Sequence, residues 1–544
     1  MFRFCFSFWF ALTLAMPLHA SEAPRPKLLV TIVVDQYSSD ALTEYRPLYT
    51  AGLARLLGGA VFPRGHQSHA ATETCPGHST VLTGARPART GVVANEWYDP
   101  SLPRSDDGRE TFVVYCVEKP GAAGSDARKK VISPDSLLVP TLGDRMKSRD
   151  ANSRVVAVAG KDRSAVMLGG HQADLALWWT DAGFTTYPGK ESSIPPEVAG
   201  KVNAAVRKSY GQPTTMPKLP PACAAKSRAT KINDDISIGT LQGFKGNSKR
   251  WRATPALDSF TVDAALAAVK DRNLGRREAT DLLAVSLSGT DYVGHYYGTE
   301  GAEMCAQQLA LDQTIGRLLA RLDKAGISYA VALTADHGGV DTPERNRERG
   351  VAAAERIDDK LLPVKVSAEL AHELQLQEPV VLGNRDFGND IYLSAAIPAD
   401  KRAAALNAAY LKYRAHRQVA AVFTKNELIA AALPNGPVDE WTLLDRAKAS
   451  FNAQRSGDLM VLLKPYVSIY QEPKQVDSDY SSSHGSPWGY DRRVPIVFWW
   501  RGIAGFEQPT AVETVDIAPT LAALIGLDIP ASEIDGRALP LIIR

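Results

Sequence analysis

The sequence predicts an α/β protein with a mostly parallel central sheet, helices on both faces of that sheet, and an inserted smaller α+β subdomain. Four short, mostly apolar runs, the first of them rich in β-branched residues, are typical of strands buried on both faces, as in a parallel sheet. Helical patterns alternate with these strands, which favours the α/β class. The four runs are 27–34, 154–159, 282–287 and 329–334.

The same patterns predict how the chain is divided. We expect the α/β core to comprise residues 25–350 and 484–544, where a strand at 494–499 and a helix at 515–525 continue the pattern. Residues 351–483 contain short strands and separate helices, and we interpret them as the subdomain. Repeated prolines predict a loop-rich insertion at about 170–255, outside the main sheet.

Length and charge limit the possible functions. A chain of 544 residues is too long for one small core. Its formal net charge is only +2, and it contains no dense run of Lys and Arg, so we expect no nucleic acid partner.

The N-terminus resembles a secretory signal. Arg3 supplies a positive charge, residues 4–18 are mostly apolar, and Ala20 is a small residue at a possible cleavage point. We therefore predict a signal peptide at 1–20 and a periplasmic or secreted protein. An N-terminal membrane anchor is the alternative, but the apolar run is short for a membrane span, so we expect no stable membrane anchor.

Export implies an oxidising compartment in which disulfides form. Removal of the signal peptide, and of Cys5 with it, leaves Cys75, Cys116, Cys223 and Cys305. Four cysteines allow three complete pairings, and the sequence does not select one of them. A free thiol at Cys75 is also compatible with the sequence.

Carboxylate and imidazole side chains follow several predicted strands or close loops. In open α/β folds, sites form at the carboxyl ends of the strands. Such oxygen and nitrogen ligands suit zinc, and six of them are too many for one tetrahedral ion but fit two. The alternative is six unrelated polar residues. The candidate ligands are Asp35, Asp291, His295, Asp336, His337 and His484.

Three further residues, Thr74, Lys161 and Arg163, could bind or attack a phosphoryl group. Thr74 precedes a Pro-Gly turn and a short helical pattern, which places its hydroxyl near a helix N-terminus where an anion is favoured. A simple N-cap is the alternative for Thr74, and a turn residue for Asn95. Lys161 and Arg163 follow a predicted strand, where they form either a solvated loop or a phosphate clamp.

Together these motifs resemble the alkaline phosphatase superfamily. The resemblance rests on Thr74-Cys75-Pro76-Gly77-His78, Asn95, Asp291-x-x-x-His295, Asp336-His337-Gly338 and His484-Gly485, and it extends from Asp35 to Leu521. Within that superfamily, Lys161-x-Arg163 and His484-Gly485-Ser486-Pro487 are similar to motifs of the phosphate-irrepressible alkaline phosphatases, which are exported bacterial phosphomonoesterases.

The resemblance implies two Zn²⁺ per chain and a nucleophilic Thr74. Asp291, His295 and His484 would bind one ion. Asp35, Asp336 and His337 would bind the other, with the Thr74 oxygen as a further ligand. Asn95, Lys161 and Arg163 would bind the phosphoryl oxygens. The implied reaction is hydrolysis of phosphate monoesters through a phosphothreonine, with release of inorganic phosphate.

Three other functions are compatible with parts of this pattern. A phosphodiesterase or nucleotide pyrophosphatase of the same superfamily would share the threonine, the asparagine and the metal ligands, but would favour an apolar pocket near Lys161 and Arg163. A sulfatase would need Cys-x-Pro-x-Arg, whereas Pro76 directly follows Cys75. A non-catalytic metal-binding or phosphate-binding protein is the alternative from another class.

Overall fold

The structure is a computed structural model that describes residues 25–541 apart from 103, 107–108, 120–121, 123–129, 211, 213–218, 242–247, 385–386 and 476–478. The predicted signal peptide therefore lies outside the described residues. Within the described part of the chain, no helix combines the length and the apolar character needed to cross a membrane.

Strands are distributed along the whole described chain. In chain order they are β1 (Leu28–Val34), β2 (Ala60–His66), β3 (Glu96–Tyr98), β4 (Arg104–Asp106), β5 (Arg109–Thr111), β6 (Val113–Tyr115), β7 (Val155–Ala159), β8 (Leu175–Thr180), β9 (Gly183–Thr185), β10 (Thr230–Lys231), β11 (Ser237–Ile238), β12 (Asp281–Leu287), β13 (Tyr329–Thr334), β14 (Glu355–Arg356), β15 (Val381–Leu382), β16 (Asp390–Leu393), β17 (Val419–Thr424), β18 (Leu459–Leu463), β19 (Val467–Ser468), β20 (Arg493–Trp500), β21 (Phe506–Glu507) and β22 (Val512–Glu513).

The α-helices lie between these strands. In chain order they are α1 (Ser39–Tyr45), α2 (Gly52–Leu56), α3 (Thr74–Thr83), α4 (Pro87–Thr90), α5 (Leu142–Arg149), α6 (Asp162–Gly169), α7 (Asn203–Tyr210), α8 (Pro221–Ala224), α9 (Ser248–Trp251), α10 (Pro255–Asp271), α11 (Gly289–Tyr297), α12 (Ala302–Lys324), α13 (Pro343–Glu348), α14 (Pro363–Leu374), α15 (Ala399–Ala415), α16 (Lys425–Ala430), α17 (Leu443–Ser450), α18 (Gly489–Arg492) and α19 (Ile517–Leu524).

A ten-stranded sheet organises the core. Its strand order is β21-β2-β20-β13-β1-β12-β7-β8-β9, and β22 also pairs with β2. The five strands from β13 to β8 are parallel to one another, whereas β20 and β9 run antiparallel to their neighbours. The predicted fold class, a mostly parallel sheet with helices, is therefore confirmed.

The two faces of the sheet form two apolar cores. In β1, Leu28, Val30 and Ile32 pack into one core, while Leu29 and Val33 pack into the other. Residues of α10 and α12 complete the first core, and residues of α3 and α19 complete the second. Because both faces are covered, the central strands are buried along their whole length and are apolar at most positions, which explains the nearly continuous apolar runs in the sequence.

A second sheet lies within residues 351–483. Its strand order is β15-β16-β18-β17, with antiparallel pairing, and α14 and α15 pack on it to form a separate apolar core. This arrangement is α+β in character. The boundaries at residues 350 and 484 stay a prediction.

The structure corrects one expectation about the main sheet and adds one strand that was not predicted. The region 170–255 was expected to lie outside it, but β8 and β9 form one edge of this sheet, because the apolar run Leu175–Thr180 pairs with β7. The sequence pattern also missed β2, whose Pro63 and Gly65 interrupt the alternation. Its register with β20 shifts between Phe62 and Gly65, so the strand tolerates both residues.

Helix α3 approaches the end of β13 unusually closely. Gly77 lies in the first turns of α3, and a Cβ atom at this position would overlap the backbone carbonyl of Asp336. A residue without a side chain is thus needed where α3 meets the residue that follows β13.

We predict that Gly77→Ala destabilises the protein by about 2 kcal/mol or more, because the rigid backbone of Asp336 must move to accept the methyl group. Thermal unfolding monitored by circular dichroism measures the change. Gly200→Ala is the matched control, since a Cβ atom there meets no other atom within 4 Å. Equal melting temperatures for the two variants would contradict the close approach.

Candidate active site

Three aspartates follow neighbouring parallel strands at one edge of the sheet. Asp35 follows β1, Asp336 lies two residues beyond β13, and Asp291 lies in the first turn of α11, directly after β12. Because β13, β1 and β12 are adjacent and parallel, their carboxyl ends bring the three carboxylates together. All three side chains are at most 1% exposed.

Asp291, His295 and His484 form the first group of possible metal ligands. Helix α11 places Asp291 and His295 one turn apart, so both side chains lie on the same side of the helix. His295 Nε2 lies 3.3 Å and His484 Nε2 lies 3.6 Å from Asp291 Oδ1. One ligand atom from each residue lies within 4.8 Å of the others, so the group could hold one metal ion.

Asp35, Asp336 and His337 form the second group. His337 Nε2 lies 3.6 Å from Asp35 Oδ1 and 3.4 Å from Asp336 Oδ2. The ligand atoms of this group also lie within 4.8 Å of one another. The His337 and His484 rings stack with their centroids 3.7 Å apart, so the two groups are direct neighbours. All six predicted ligands therefore converge as two sets of three.

Each histidine of the two candidate ligand groups is oriented by a backbone carbonyl. In all three rings Nδ1 lies within hydrogen-bond distance of a carbonyl oxygen, which requires Nδ1 to donate and leaves the lone pair on Nε2. Such hydrogen bonds commonly fix the rings of metal-ligating histidines. The carbonyls belong to Ser482 for His295 (3.0 Å), Gly338 for His337 (2.8 Å) and Thr72 for His484 (2.9 Å).

Several ligand atoms are buried without a hydrogen-bond partner among the described residues. They include Asp35 Oδ1, Asp291 Oδ1 and His337 Nε2. Buried polar atoms are rarely left unpaired, since the desolvation cost is then uncompensated. Carboxylate oxygens and imidazole nitrogens in this arrangement fit a divalent ion such as zinc.

Burial and mutual charge perturb the ionisation of these groups. Burial raises the pKa of Asp35 well above its usual value, and the Asp291 and Asp336 carboxylates raise it further. Burial also lowers the pKa values of His337 and His484, which favours the neutral imidazoles that metal ions require. Strongly perturbed groups clustered beside a cavity indicate a functional site.

Thr74 lies in the first turn of α3 and is 1% exposed. The His78 ring, one turn later, has Nδ1 2.9 Å from the Thr74 carbonyl oxygen and 3.0 Å from Asp336 Oδ2. His78 Nε2 lies 2.8 Å from Ser286 Oγ in β12. The His78 side chain thus connects the helix that carries Thr74 to the second ligand group.

Lys161 lies between the two ligand groups. Its Nζ atom is 2.6 Å from Asp35 Oδ2 and 2.6 Å from Asp291 Oδ2, and it lies 3.4 Å from Thr74 Oγ1. Burial lowers the pKa of Lys161, but the two carboxylates outweigh burial and raise it overall, so the ammonium stays charged. The sequence did not predict this double ion pair.

Arg163 and Asn95 line a cavity of about 510 Å³ beside Thr74. Asn95 Oδ1 accepts a 2.8 Å hydrogen bond from the backbone N–H of Cys75, so its amide nitrogen is left as a donor. Tyr115 lies 3.5 Å from Arg163 Nη1 and donates a 2.6 Å hydrogen bond to Asp162. The cavity therefore presents two donors close to the threonine.

The segment that carries Asn95 is tied to the start of α3. The Asn95 N–H donates to Glu73 Oε2 at 2.8 Å, and Cys75 forms a disulfide with Cys116 at the end of the β3–β6 hairpin. The other described pair is Cys223–Cys305. The structure thereby selects one of the three pairings that the sequence left open, and it excludes a free thiol at Cys75.

Sequence reasoning missed several residues around the site. Spacing gave no sign of Tyr470, Tyr480 or Arg252, since they come from segments distant from the predicted ligands. Tyr292 directly follows Asp291, but its position gave no sign that its ring lines the cavity. His78 could have been found, because it lies one helical turn after Thr74. The missed residues are Glu73, His78, Arg252, Tyr292, Tyr470 and Tyr480.

Comparison with known proteins identifies the family. The model of the type I phosphodiesterase / nucleotide pyrophosphatase family matches residues 29–487. Alkaline phosphatase PhoK of Sphingomonas sp. is 46% identical over 524 residues, which cover 96% of this chain and 92% of PhoK. Alkaline phosphatase PhoD of Zymomonas mobilis is 46% identical over 519 residues, which cover 95% of this chain and 88% of PhoD.

The same fold occurs in a solved structure. The crystal structure of wild-type alkaline phosphatase PafA matches with a TM-score of 0.80 and 24% identity, and the match covers 95% of this chain and 99% of PafA. This likeness shows the fold. Together, the family match and the two relatives show that the chain belongs to the type I phosphodiesterase / nucleotide pyrophosphatase family and, as its motifs predicted, to the alkaline phosphatase superfamily.

Proposed function

We propose that this protein is an exported alkaline phosphatase that hydrolyses phosphate monoesters at a two-zinc site. One observation carries the proposal. The Thr74 hydroxyl lies at the start of α3, 3.4 Å from the Lys161 ammonium, and this ammonium contacts both groups of buried candidate ligands. Two relatives that match nearly the whole chain are named alkaline phosphatases, which supports the same reaction.

Two Zn²⁺ ions would be held by the chain's own ligands. Asp291, His295 and His484 would bind one ion, and Asp35, Asp336 and His337 would bind the other, with Thr74 Oγ1 completing the second set. Bound zinc lowers the pKa of an attached hydroxyl or water and neutralises charge on phosphoryl oxygens.

Thr74 is the proposed nucleophile. Its hydroxyl gives its proton to water, and Oγ1 then attacks phosphorus, so that a P–O bond to Thr74 forms as the P–O bond to the leaving alcohol breaks. The alcohol takes up a proton from water. A water molecule then cleaves the phosphothreonine, which restores the Thr74 hydroxyl and releases inorganic phosphate.

Lys161, Arg163 and Asn95 are the proposed phosphoryl-binding residues. Lys161 lies against Thr74 and contributes positive charge at the attacking oxygen. The guanidinium of Arg163 and the amide of Asn95 line the cavity and can donate to the non-bridging oxygens. Such prepositioned donors stabilise charge that develops during phosphoryl transfer.

A phosphodiesterase or nucleotide pyrophosphatase is the second candidate, and the name of the family model favours it. Two cations beside Thr74 match the charge of a monoester dianion better than that of a diester monoanion. The choice of monoesters therefore rests on Lys161 and Arg163. A non-catalytic binding protein is disfavoured, since Thr74 and both complete ligand groups are present.

Export and the division of the chain are parts of the same proposal. The N-terminal sequence at 1–20 and the disulfides Cys75–Cys116 and Cys223–Cys305 support an oxidising location, periplasmic or secreted. We also propose that residues 25–350 and 484–544 form the catalytic core, with residues 351–483 as the subdomain beside it.

We predict that Thr74→Ala lowers the hydrolysis of an aryl phosphate monoester by at least about 10³-fold, because the attacking oxygen is lost. Phosphate release at alkaline pH measures the rate. A chelator should also inactivate the wild-type protein, and added zinc should restore it. Thr83→Ala is the control, since this buried threonine lies at the other end of α3. Equal turnover by Thr74→Ala and the wild type would refute the nucleophile.

We predict that the double variant Lys161→Ala/Arg163→Ala loses much more activity on an aryl phosphate monoester than on its methyl diester, since the monoester carries the extra negative charge that the two cations match. Values of kcat/KM for both esters, with zinc content measured on the same preparations, test this. An equal loss on both esters, at unchanged zinc content, would mean that the cations do not select charge.

A further inference from the structure

Beyond Thr74, the cavity is lined by aromatic rings, two of which pack against His295 of the first ligand group. The ring of Tyr480 stacks on His295 with the centroids 4.3 Å apart, and Tyr470 meets His295 edge-on at 5.9 Å. Tyr292 directly follows Asp291 and lines the same cavity. An organic group bonded to a phosphoryl group at Thr74 would therefore lie among tyrosines.

Arg252 joins this wall from the segment between α9 and α10. Its Cζ atom lies 4.5 Å from the centre of the Tyr292 ring, and Nη1 donates a 3.2 Å hydrogen bond to Tyr292 Oη. The side chain is partly buried and lines the cavity. No carboxylate lies within ion-pair distance of Arg252 among the described residues, so this cation has no anionic partner there.

Tyr292 is a common neighbour of Arg252 and Lys161. Lys161 Nζ lies 5.1 Å from the centre of the Tyr292 ring, so Lys161 and Arg252 both contact the same ring. The two cationic centres are consequently no further apart than 9.6 Å, the sum of 5.1 and 4.5 Å. One small substrate could contact Thr74 beside Lys161 and still reach Arg252.

We propose that Arg252 is a specificity-determining residue that selects phosphate monoesters whose leaving group carries a second phosphoryl-type dianion. This inference rests on the proposed phosphatase function and adds a substrate class to it. The first phosphoryl group is the one that Thr74 attacks, and the second binds at Arg252, outside the reacting centre.

The chemistry of Arg252 fits this task. A guanidinium presents paired N–H donors that match phosphoryl oxygens, and removal from bulk water strengthens the resulting charge-assisted hydrogen bonds. Tyr292 Oη accepts from Arg252, which leaves its own O–H proton for a second donor contact. The tyrosine rings can pack against the organic part that links the two phosphoryl groups.

A matched pair of esters tests the proposal. The probes are 4-(phosphonomethyl)phenyl phosphate and 4-methylphenyl phosphate, which differ in the second dianion but share the phenolic leaving oxygen. We expect Arg252→Ala to lower the ratio of their kcat/KM values by roughly tenfold or more, because a charge-assisted contact is lost only for the first ester. Arg252→Lys should recover part of the ratio, since lysine keeps the positive charge but lacks the paired N–H donors of the guanidinium.

Arg250→Ala is the matched control, because Arg250 lies over the rings of Tyr296 and Tyr297 and is not among the residues that line the cavity. The ratio of kcat/KM values for the two esters should be the same in Arg250→Ala as in the wild type. A ratio unchanged by Arg252→Ala, or lowered equally by Arg250→Ala, would overturn the inference while leaving the phosphatase intact. If the wild type hydrolysed neither ester, the proposed function itself would fail.

Discussion

Three carboxylates buried side by side are the constraint on which the rest of the structure depends. Asp35, Asp291 and Asp336 come from the ends of three adjacent parallel strands and are shielded from water, so their mutual repulsion is strong. Positive charge must compensate them for the fold to persist. Lys161 supplies one cation, between Asp35 and Asp291, and two metal ions at the ligand groups would supply the remainder.

The same constraint accounts for the proposed chemistry. The positive charge that compensates the three carboxylates also lies beside Thr74. There it favours the alkoxide form of Thr74 and attracts a phosphoryl dianion. The surrounding contacts hold this arrangement in place: carbonyl groups orient the ligand histidines, His78 connects α3 to Asp336, and the Cys75–Cys116 disulfide fixes the Asn95 segment. Arg252, which contacts the same tyrosine ring as Lys161, adds a further cation beside this region.

The sequence predicted the features that depend on local pattern. Runs of apolar residues located β1, β7, β12 and β13 within a residue or two. The polar residues that follow β1, β12 and β13, together with His484 in a later loop, gave the six candidate ligands that the structure gathers into two groups. It could not predict contacts that only the folded chain creates. No periodic or spacing signal marks the cysteine pairing, the ion pairs of Lys161 or the contact between Arg252 and Tyr292, because each joins segments far apart in sequence.

The proposed metal centre can be tested most directly by anomalous diffraction at the zinc absorption edge, from crystals grown with zinc. Two peaks should appear, each about 2.0–2.2 Å from its ligand atoms. One should lie among Asp291, His295 and His484, and the other among Asp35, Asp336, His337 and Thr74 Oγ1. A single peak, or two peaks bound elsewhere with these side chains left without metal, would contradict the two-ion basis for activating Thr74.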